Sequence, residues 1–420
     1  MPTLAHTYKV RAVHCDHSAD DEAVYQALRR ATAPLDAAWA RLGRAKTIAI
    51  KFNQDKASQS VVLFKGQRQQ LVSDSVVRAT LRLLREHTDA RLYCADVSFY
   101  TMYNGQTLAN TTNIAHILRE FEVEYLDGTQ PPYVGVQTPG GGQMFRSYTL
   151  MEGVAAADEM VSVATIKNHA FMGVTGCLKN LFGLMPGEPH GRPRTYYHHL
   201  VRMPYMLADL GRLLDPALNV VDALVGQAGL EWSDGVGLGR VVDGLVAGDH
   251  VIATDACLMH LMGHDPHADW GTSPFHRDRN ALLVAAEGGF GTVDLDAIDF
   301  ETELAPQPEG TFYAVMTDSP ATIQAWRRTM CEQALLYHGN RQAFERYAGE
   351  YILLQDGEVR WHSPEGTIRE SRRALAGDHA DHAMWYKFVD IDETEAEGEH
   401  YEVYERALAH LAESASPPIA

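Results

Sequence analysis

One stretch of this sequence concentrates side chains that can bind an anion or a metal. The segment from His169 to Arg192 reads HAFMGVTGCLKNLFGLMPGEPHGR and holds two histidines, a lysine, an arginine, an asparagine, two prolines and five glycines in 24 residues. Lysine and arginine side chains bind carboxylate and phosphate groups, and neutral imidazole is a common metal ligand. The segment therefore predicts a pocket for a small anion, with a metal bound through imidazole as an alternative.

The predicted secondary structure around this stretch places its polar groups at the edge of a sheet. A strand that ends near Ile166 leaves Lys167 and His169 beyond its carboxyl end, which is where open α/β sheets bind ligands. Thr175 is expected to cap a short helix, and Lys179 lies one turn into it. The free N–H groups at the start of that helix are predicted to bind a carboxylate or phosphate, with the lysine charge beside them.

Other strand ends supply further polar side chains. The run KTIAIKFN is typical of a buried strand, and it delivers Lys51 and Asn53 at its end. A later strand is expected to end near Asp222, and Asp255 is expected to open a helix. A carboxylate pair at these two positions would hold a divalent cation or orient a lysine. The alternative is a solvated strand end for the first two residues and a simple helix cap for Asp255.

Strands and helices alternate from about residue 46 to about residue 265. The helical run SDSVVRATLRLLREHTDA, with Ser73 as its cap, lies between the strands KTIAIKFN and RLYCADVS, and the second of these strands brings Asp96 near its end. Strand, helix and strand in this order form a βαβ unit, which indicates a parallel sheet. The predicted fold class is therefore α/β, with a mostly parallel sheet and helices on both faces.

This alternation fades from about residue 306. The later sequence predicts a long helix, a hairpin with a turn at Asp356 and Gly357, and an acidic run, DIDETEAEGEHYEVYE, that is expected to be solvated. We therefore divide the chain into an α/β core over residues 1–305, a small α+β C-terminal appendage over residues 306–410, and a disordered tail over residues 411–420.

The bulk composition excludes several classes of protein. The chain has 55 acidic and 36 basic residues and a net charge of -19, a field that repels nucleic acid and anionic membranes. Its 5 cysteines include no CxxC pair, so neither an iron–sulfur cluster, nor a zinc ribbon, nor a disulfide framework is expected. Without a signal-peptide or membrane-spanning run, we expect a cytoplasmic protein. Its expected partner is a small anionic metabolite, and a homo-oligomer is left open.

Four segments of the chain resemble the family called domain of unknown function 362. They are IAIKFN, MEGVAAADEMVSVATIKNHAFMGVTGCLKNLFGLMPG, LNVVDALVGQAGL and LVAGDHVIATDACLMHLMGHDP. The resemblance covers roughly residues 40–290, and its central pattern is K-x-H followed by TG-x-x-KN-x-x-G. The shared positions that it implies are Lys51, Asn53, Lys167, His169, Thr175, Lys179, Asn180, Asp222 and Asp255. It implies no particular reaction, and this chain lacks the ferredoxin-like cysteine cluster of many relatives.

The order of residues in the first segment also resembles the nickel-pincer lactate racemases. Both have a histidine, a Thr-Gly turn, a lysine, a Pro-Gly pair and a second histidine. In that family a lysine holds a covalent pyridinium cofactor and a histidine binds nickel. The counterparts here are Lys179 and His190, although the spacing between them differs. The resemblance implies a metal-containing cofactor as an alternative to plain acid–base chemistry.

These observations assign three roles to the candidate site residues. The candidate catalytic residues are Lys51, Lys167, His169 and Lys179, the substrate-binding residues are Asn53, Thr175, Gly176, Asn180 and Arg192, and the metal ligands are His190, Asp222 and Asp255. We expect an enzyme that acts on a small carboxylate or phosphate metabolite, with lysine and histidine acid–base chemistry and a divalent metal as candidate cofactor. The alternatives are a protein that binds a metal or organometallic cofactor, and a non-catalytic metabolite-binding or scaffold protein.

Overall fold

A nine-stranded sheet lies at the centre of the computed structural model, which describes residues 8–54, 56, 60–97, 112–187, 191–231, 238–392 and 398–415. The strands of the described chain are β1 (Tyr8–His14), β2 (Thr47–Phe52), β3 (Leu63–Phe64), β4 (Gln67–Arg68), β5 (Arg91–Asp96), β6 (Glu124–Asp127), β7 (Tyr133–Gln137), β8 (Ser147–Met151), β9 (Glu159–His169), β10 (Gly173–Thr175), β11 (Leu218–Gln227), β12 (Gly239–Gly248), β13 (Ile298–Thr302), β14 (Tyr351–Gln355), β15 (Glu358–Ser363) and β16 (Trp385–Phe388). The α-helices are α1 (Asp21–Thr32), α2 (Asp36–Leu42), α3 (Asp74–His87), α4 (Ala115–Glu120), α5 (Glu152–Ala155), α6 (Cys177–Asn180), α7 (Arg194–Tyr197), α8 (Arg202–Leu214), α9 (Val251–Leu261), α10 (Ala281–Glu287), α11 (Pro320–Gly339), α12 (Arg372–Ala376) and α13 (Glu402–Ala415).

The strand order of the central sheet is β13-β1-β12-β11-β9-β2-β5-β6, and β10 folds back on the end of β9. The run from β11 to β6 is parallel, whereas β12 is antiparallel to both of its neighbours. Because α3 connects the parallel neighbours β2 and β5, the predicted βαβ unit and the mostly parallel sheet are confirmed. The carboxyl ends of β2, β5 and β9 therefore meet at one edge.

Apolar side chains cover both faces of this sheet. Consecutive residues of one strand point to opposite faces, so Val220 packs with the cluster of α1 and α3, and Val221 packs with the cluster of α8 and α9. The amphipathic α3 begins at Ser73, whose hydroxyl accepts the N–H of Val76, as the sequence predicted. Helices on both faces of an α/β sheet are thus confirmed.

Two predicted boundaries differ from the structure. Strand β9 does not stop near Ile166 but continues through His169, because β10 pairs with its last three residues. Gly173 starts β10 with a φ of 71°, a left-handed conformation that suits glycine and lets the chain fold straight back. Helix α9 begins at Val251, so Asp255 lies in its second turn and does not open it.

The C-terminal region forms a separate three-stranded sheet of order β15-β14-β16, with α11 and α13 packed beside it. The β14–β15 hairpin has the predicted turn, in which Asp356 and Gly357 both have positive φ. The long helix was also predicted correctly. The chain thus has the expected α+β appendage, and among the described residues no helix has the length and apolar character needed to span a membrane.

The acidic run near the C-terminus is not wholly solvated, which corrects the prediction from composition. Glu399 is fully buried, and its carboxylate lies 2.9 Å from a guanidinium nitrogen of Arg202 and 3.0 Å from the Lys387 ammonium. The chain is also helical through Ala415, although the disordered tail was expected to start at residue 411. Both differences arise because tertiary partners, which lie far away in sequence, decide where an acidic segment goes.

Candidate functional site

A cavity of about 190 Å³ opens at the sheet edge where β2, β5 and β9 end. Among the described residues that line it are five basic side chains and two carboxylates, so it is locally cationic in an acidic protein. The basic residues are Lys51, Lys56, Lys167, Lys179 and Arg194, and the acidic residues are Asp96 and Glu231. The predicted residues Asn53, His169, Thr175, Gly176 and Asn180 also line it. The structure thus brings together eight of the twelve candidate residues from the sequence.

Lys51 and Asp96 form a buried ion pair in the wall of this cavity. The Lys51 ammonium lies 3.1 Å from the Asp96 carboxylate and donates a 2.7 Å hydrogen bond to the Phe52 carbonyl. The two side chains come from the carboxyl ends of the parallel neighbours β2 and β5. Gly183 permits their arrangement, because a Cβ atom there would lie 2.4 Å from Cε of Lys51.

Lys167 is held by oxygen atoms from two other segments. Its ammonium donates to Oδ1 of Asn53 and to the carbonyl of Gln70, each at 2.9 Å. The loop that carries Gln70 is held by Asp222, whose carboxylate accepts the N–H of Ser73 at 2.8 Å and that of Leu224 at 3.1 Å. Burial raises the pKa of Asp222. This carboxylate therefore positions the loop that orients the lysine.

Thr175 and Asn180 hold the strands around the cavity. The Thr175 hydroxyl donates to the Lys167 carbonyl at 3.1 Å. The Asn180 amide donates to the Lys51 carbonyl at 2.9 Å and to the Val163 carbonyl at 3.2 Å, which ties β2 to β9. Both side chains line the cavity, so they fix its shape even where they do not contact a ligand.

The start of α6 already carries an anion, the carboxylate of Asp255. Its two oxygens accept the N–H groups of Cys177 and Leu178, each at 2.8 Å. The prediction that these N–H groups are open to a ligand is therefore wrong. Burial raises the pKa of Asp255 to about 7. Gly176 allows the close approach, because a Cβ atom there would lie 2.3 Å from an Asp255 oxygen.

The side chains of His169 and Glu231 contact each other in the wall of the cavity. Nδ1 of His169 accepts the N–H of Phe171 at 3.1 Å and lies 3.0 Å from Oε1 of Glu231. Burial first, and then the charge of Lys179, lowers the pKa of His169 well below its ordinary value, whereas burial raises the pKa of Glu231. A neutral imidazole uses the Nδ1 lone pair for N–H donors. After protonation, Nδ1–H faces a carboxylate partner instead.

Lys179 and Arg194 both contact the aromatic ring of Phe182. The Lys179 ammonium is 4.9 Å and the Arg194 guanidinium carbon 4.7 Å from the centroid of Phe182. Such cation–π contacts orient a cation, and its positive charge stays available to an anion. These two side chains therefore present positive charge to the cavity from the segment between β10 and α7.

Three of the predicted residues in the described part of the chain are not among those that line this cavity. Arg192 donates to the Tyr351 hydroxyl at 3.1 Å and lies over Phe388, against the C-terminal sheet. His190 lies outside the described residues. Asp222 and Asp255 are each bound to separate pairs of backbone N–H groups. Metal binding by these carboxylates stays a prediction from the sequence.

Two groups of side chains elsewhere have donors arranged as in metal sites. Among the described residues, the two groups are Asp356 with His379 and His382, and Asp16 with His17 and Asp243. Both lie at the surface or are only partly buried, and neither was singled out from the sequence. Each group joins two nearby residues to one that is distant in sequence, Asp356 in the first group and Asp243 in the second, and spacing alone does not predict that third member.

Glu231, Asp96, Lys56 and Arg194 are cavity residues that the predicted site omitted. Asp96 had a usable signal, because it ends a strand parallel to the one that ends with Lys51. Glu231 lies in the glycine-rich sequence GLEWSDGVGLG, which has no strand or helix pattern of its own. Its role depends on a contact with His169 across 62 positions of the chain, which pattern alone does not predict.

The fold and this site define an α/β protein with a cationic cavity at the carboxyl edge of its parallel strands. The family model of the domain of unknown function DUF362 matches residues 49–260, half of the chain, and the protein belongs to this family. Among solved structures, the chain is similar to the lactate racemase apoprotein from Thermoanaerobacterium thermosaccharolyticum, with a TM-score of 0.32 and 13% identity over 62% of this chain. The similarity spans 58% of the length of that protein. Comparison with curated proteins gave no match.

Proposed function

We propose that this protein is an enzyme that transfers a proton on a small metabolite bearing a carboxylate or phosphate group. The observation that carries the proposal is that five basic side chains and the His169–Glu231 pair line one cavity. Its volume of about 190 Å³ is below the roughly 300–1,000 Å³ of pockets for drug-sized ligands. The substrate is therefore expected to be small.

The residues of the cavity divide into two functional groups. Lys179 and Arg194 would bind the anionic group, and Lys51 and Lys167 would stabilise negative charge that develops during the reaction. His169 would take up and return the proton, since its protonated state has a carboxylate partner at Nδ1. The anion is thus held by side chains, because the start of α6 is occupied by Asp255.

Hydrogen exchange tests this proposal on many candidate substrates at once. The protein is incubated in D₂O with mixtures of small carboxylates and phosphates, and loss of carbon-bound proton signals is followed by NMR. The His169→Gln variant is expected to abolish exchange, and Lys179→Met to raise KM more than it lowers kcat. Lys46→Met, at an exposed position, is the matched control. Exchange at the wild-type rate in His169→Gln would contradict the proposal.

A cofactor-dependent reaction is a second proposal for the same cavity. It is supported by the position of Lys179, the counterpart of the cofactor-bearing lysine in the resemblance to nickel-pincer racemases, in the cavity lining. Intact mass, metal content and the visible spectrum of protein from its native host would test it. An added mass on Lys179 with stoichiometric metal would favour the cofactor enzyme. Tight ligand binding without exchange, preserved in His169→Gln, would favour a non-catalytic binding protein.

A further inference from the structure

A second and larger cavity, of about 760 Å³, lies between the α/β core and the C-terminal helices. Its walls include Phe171 after β9, Arg277 in the segment before α10, Trp326 in α11 and Arg372 in α12. The described residues that line it are all different from those that line the first cavity. His169 lines the first cavity, and Phe171, two residues later in the chain, lines the second.

Three arginines, Arg277, Arg372 and Arg373, line the second cavity, and in the described part of the chain none of them has an anionic partner within ion-pair distance. Arg277 lies flat against Phe171, with its guanidinium carbon 4.0 Å from the ring centroid. Among the described residues, neither Arg277 nor Arg372 forms an ion pair or donates a side-chain hydrogen bond. The carboxylate next to Arg277 in sequence, Asp278, instead accepts the N–H of Val201 at 2.8 Å and that of Arg279 at 3.0 Å.

Arg277 is partly buried, and Arg372 is exposed. Burial lowers the pKa of Arg277, whereas the carboxylates of Asp278 and Asp318 act in the opposite direction. Asp318 and Asp381 also line the cavity but form an ion pair with neither guanidinium. His199 adds no acceptor for them, because its Nε2 accepts the N–H of Tyr386 at 2.8 Å. Both guanidinium groups can therefore be reached by an anion that enters the cavity, and a bound anion would supply the ion pair that neither arginine forms among the described residues.

Apolar side chains form much of the remaining wall. Leu200 and Met330 are almost fully buried, and Trp326 and Met384 complete this apolar surface. We propose that the cavity is a second ligand site, for a small amphipathic molecule whose carboxylate or phosphate group pairs with Arg277 and Arg372 and whose apolar body packs on Trp326 and Met330. This proposal does not rest on the function proposed for the first cavity.

Binding of a fluorescent amphipathic anion tests the site directly. The probe is 8-anilinonaphthalene-1-sulfonate, and its uncharged analogue N-phenyl-1-naphthylamine reports apolar binding alone. We expect the sulfonate dye to bind at one saturable site. Its affinity is expected to fall about tenfold or more in Arg372→Gln, because a hydrogen-bonded charge contact is lost. Binding of the uncharged dye is expected to stay the same. Arg369→Gln, which removes an exposed arginine three residues away, is the matched control.

Two further variants keep the test decisive. Ala380→Trp adds bulk at an exposed position of the cavity wall and is expected to abolish binding of both dyes. The double variant Arg277→Gln with Arg372→Gln is expected to bind the sulfonate dye more weakly than either single variant. If the double variant does not fold, the affinity of Arg372→Gln alone tests the proposal. Octanoate and octyl phosphate, added as competitors, identify the preferred head group. Unchanged sulfonate affinity in Arg372→Gln, or equal loss in Arg369→Gln, would overturn the proposal.

Discussion

Nδ1 of His169 and Oε1 of Glu231 lie 3.0 Å apart, in a wall where the Phe171 N–H also points at Nδ1. The imidazole therefore has two defined states. When it is neutral, Nδ1 accepts N–H groups, and among the described residues Oε1 of Glu231 accepts no hydrogen bond. When it is protonated, Nδ1–H has the carboxylate as its partner. The acid–base role proposed for His169 depends on the second of these states.

The first prediction concerns the proton on His169. Because burial and the charge of Lys179 lower its pKa well below 6.5, the ring is expected to stay neutral at pH 6.5 with its proton on Nε2. Lys179→Met is expected to raise this pKa, and Glu231→Gln to lower it, since the first removes a repulsive charge and the second an attractive one. Long-range ¹⁵N–¹H NMR of labelled histidine measures both. A ring protonated at pH 6.5 would contradict the assignment.

The second prediction concerns the buried pair of Lys51 and Asp96. Lys51→Met is expected to lower the free energy of unfolding by about 3–5 kcal/mol, because the buried Asp96 carboxylate loses the ammonium group with which it forms an ion pair. The double variant with Asp96→Asn is expected to recover more than half of this loss. Urea denaturation measures each value.

An exposed pair of the same length provides the control for that experiment. Arg82 and Glu86 are also 3.1 Å apart, but both are about 40% exposed. The coupling free energy between them is expected to be about 0.3–0.5 kcal/mol. Equal coupling in the two pairs would mean that burial has no role in the energetics of Lys51 and Asp96.

The third prediction concerns the carboxylate at the start of α6. Asp255→Ala leaves the N–H groups of Cys177 and Leu178 without acceptors, and we expect a loss of about 2–4 kcal/mol in the free energy of unfolding. Formate, a carboxylate small enough for the vacated space, is expected to raise the melting temperature of the variant more than that of the wild type. Asp294→Ala, which removes an exposed cap, should show no such rescue. An equal rise in melting temperature with formate in both variants would contradict binding of formate in the space left by the Asp255 side chain.

The fourth prediction concerns stability in acid. The charges of Arg202 and Lys387 overcome the effect of burial and lower the pKa of Glu399 to about 2, against an ordinary value of 4.5. This carboxylate therefore contributes about 3 kcal/mol of stability above pH 4.5, which is lost as the pH falls towards 2. Glu399→Gln is expected to be less stable at pH 7, and the difference from wild type should shrink in acid. Urea unfolding at several pH values measures the difference in unfolding free energy between the variant and the wild type. A difference that does not change with pH would show that titration of Glu399 does not contribute to stability.

Much of the fold was predictable because local patterns decide it. The βαβ unit around α3 has a capping serine, a helical apolar period and two β-rich flanks, and the structure agrees with all three. The end of β9 was not predictable in this way, because Lys167 and His169 are drawn into the strand by pairing with β10. Polar residues at a strand end give no local sign of such a partner.

The site was predictable where a strand end supplied the residue, as for Lys51, Asn53 and Lys167. It was not predictable where a carboxylate had to be paired with a distant group. From the sequence, Asp255 was interpreted as a metal ligand or as the cap of its own helix. In the structure its carboxylate accepts N–H groups that lie 77 and 78 positions away in the chain. Glu399 shows the same difficulty in the C-terminal region.

The carboxylate of Asp255 also bears on how this cavity can be redesigned. A loop that is held by its own internal counter-ion has its backbone in place before any substrate arrives. The Lys179 and Arg194 side chains project into the cavity and do not hold this loop in place. We therefore expect that these two side chains can be exchanged singly while the backbone of the TG-x-x-KN segment keeps its conformation.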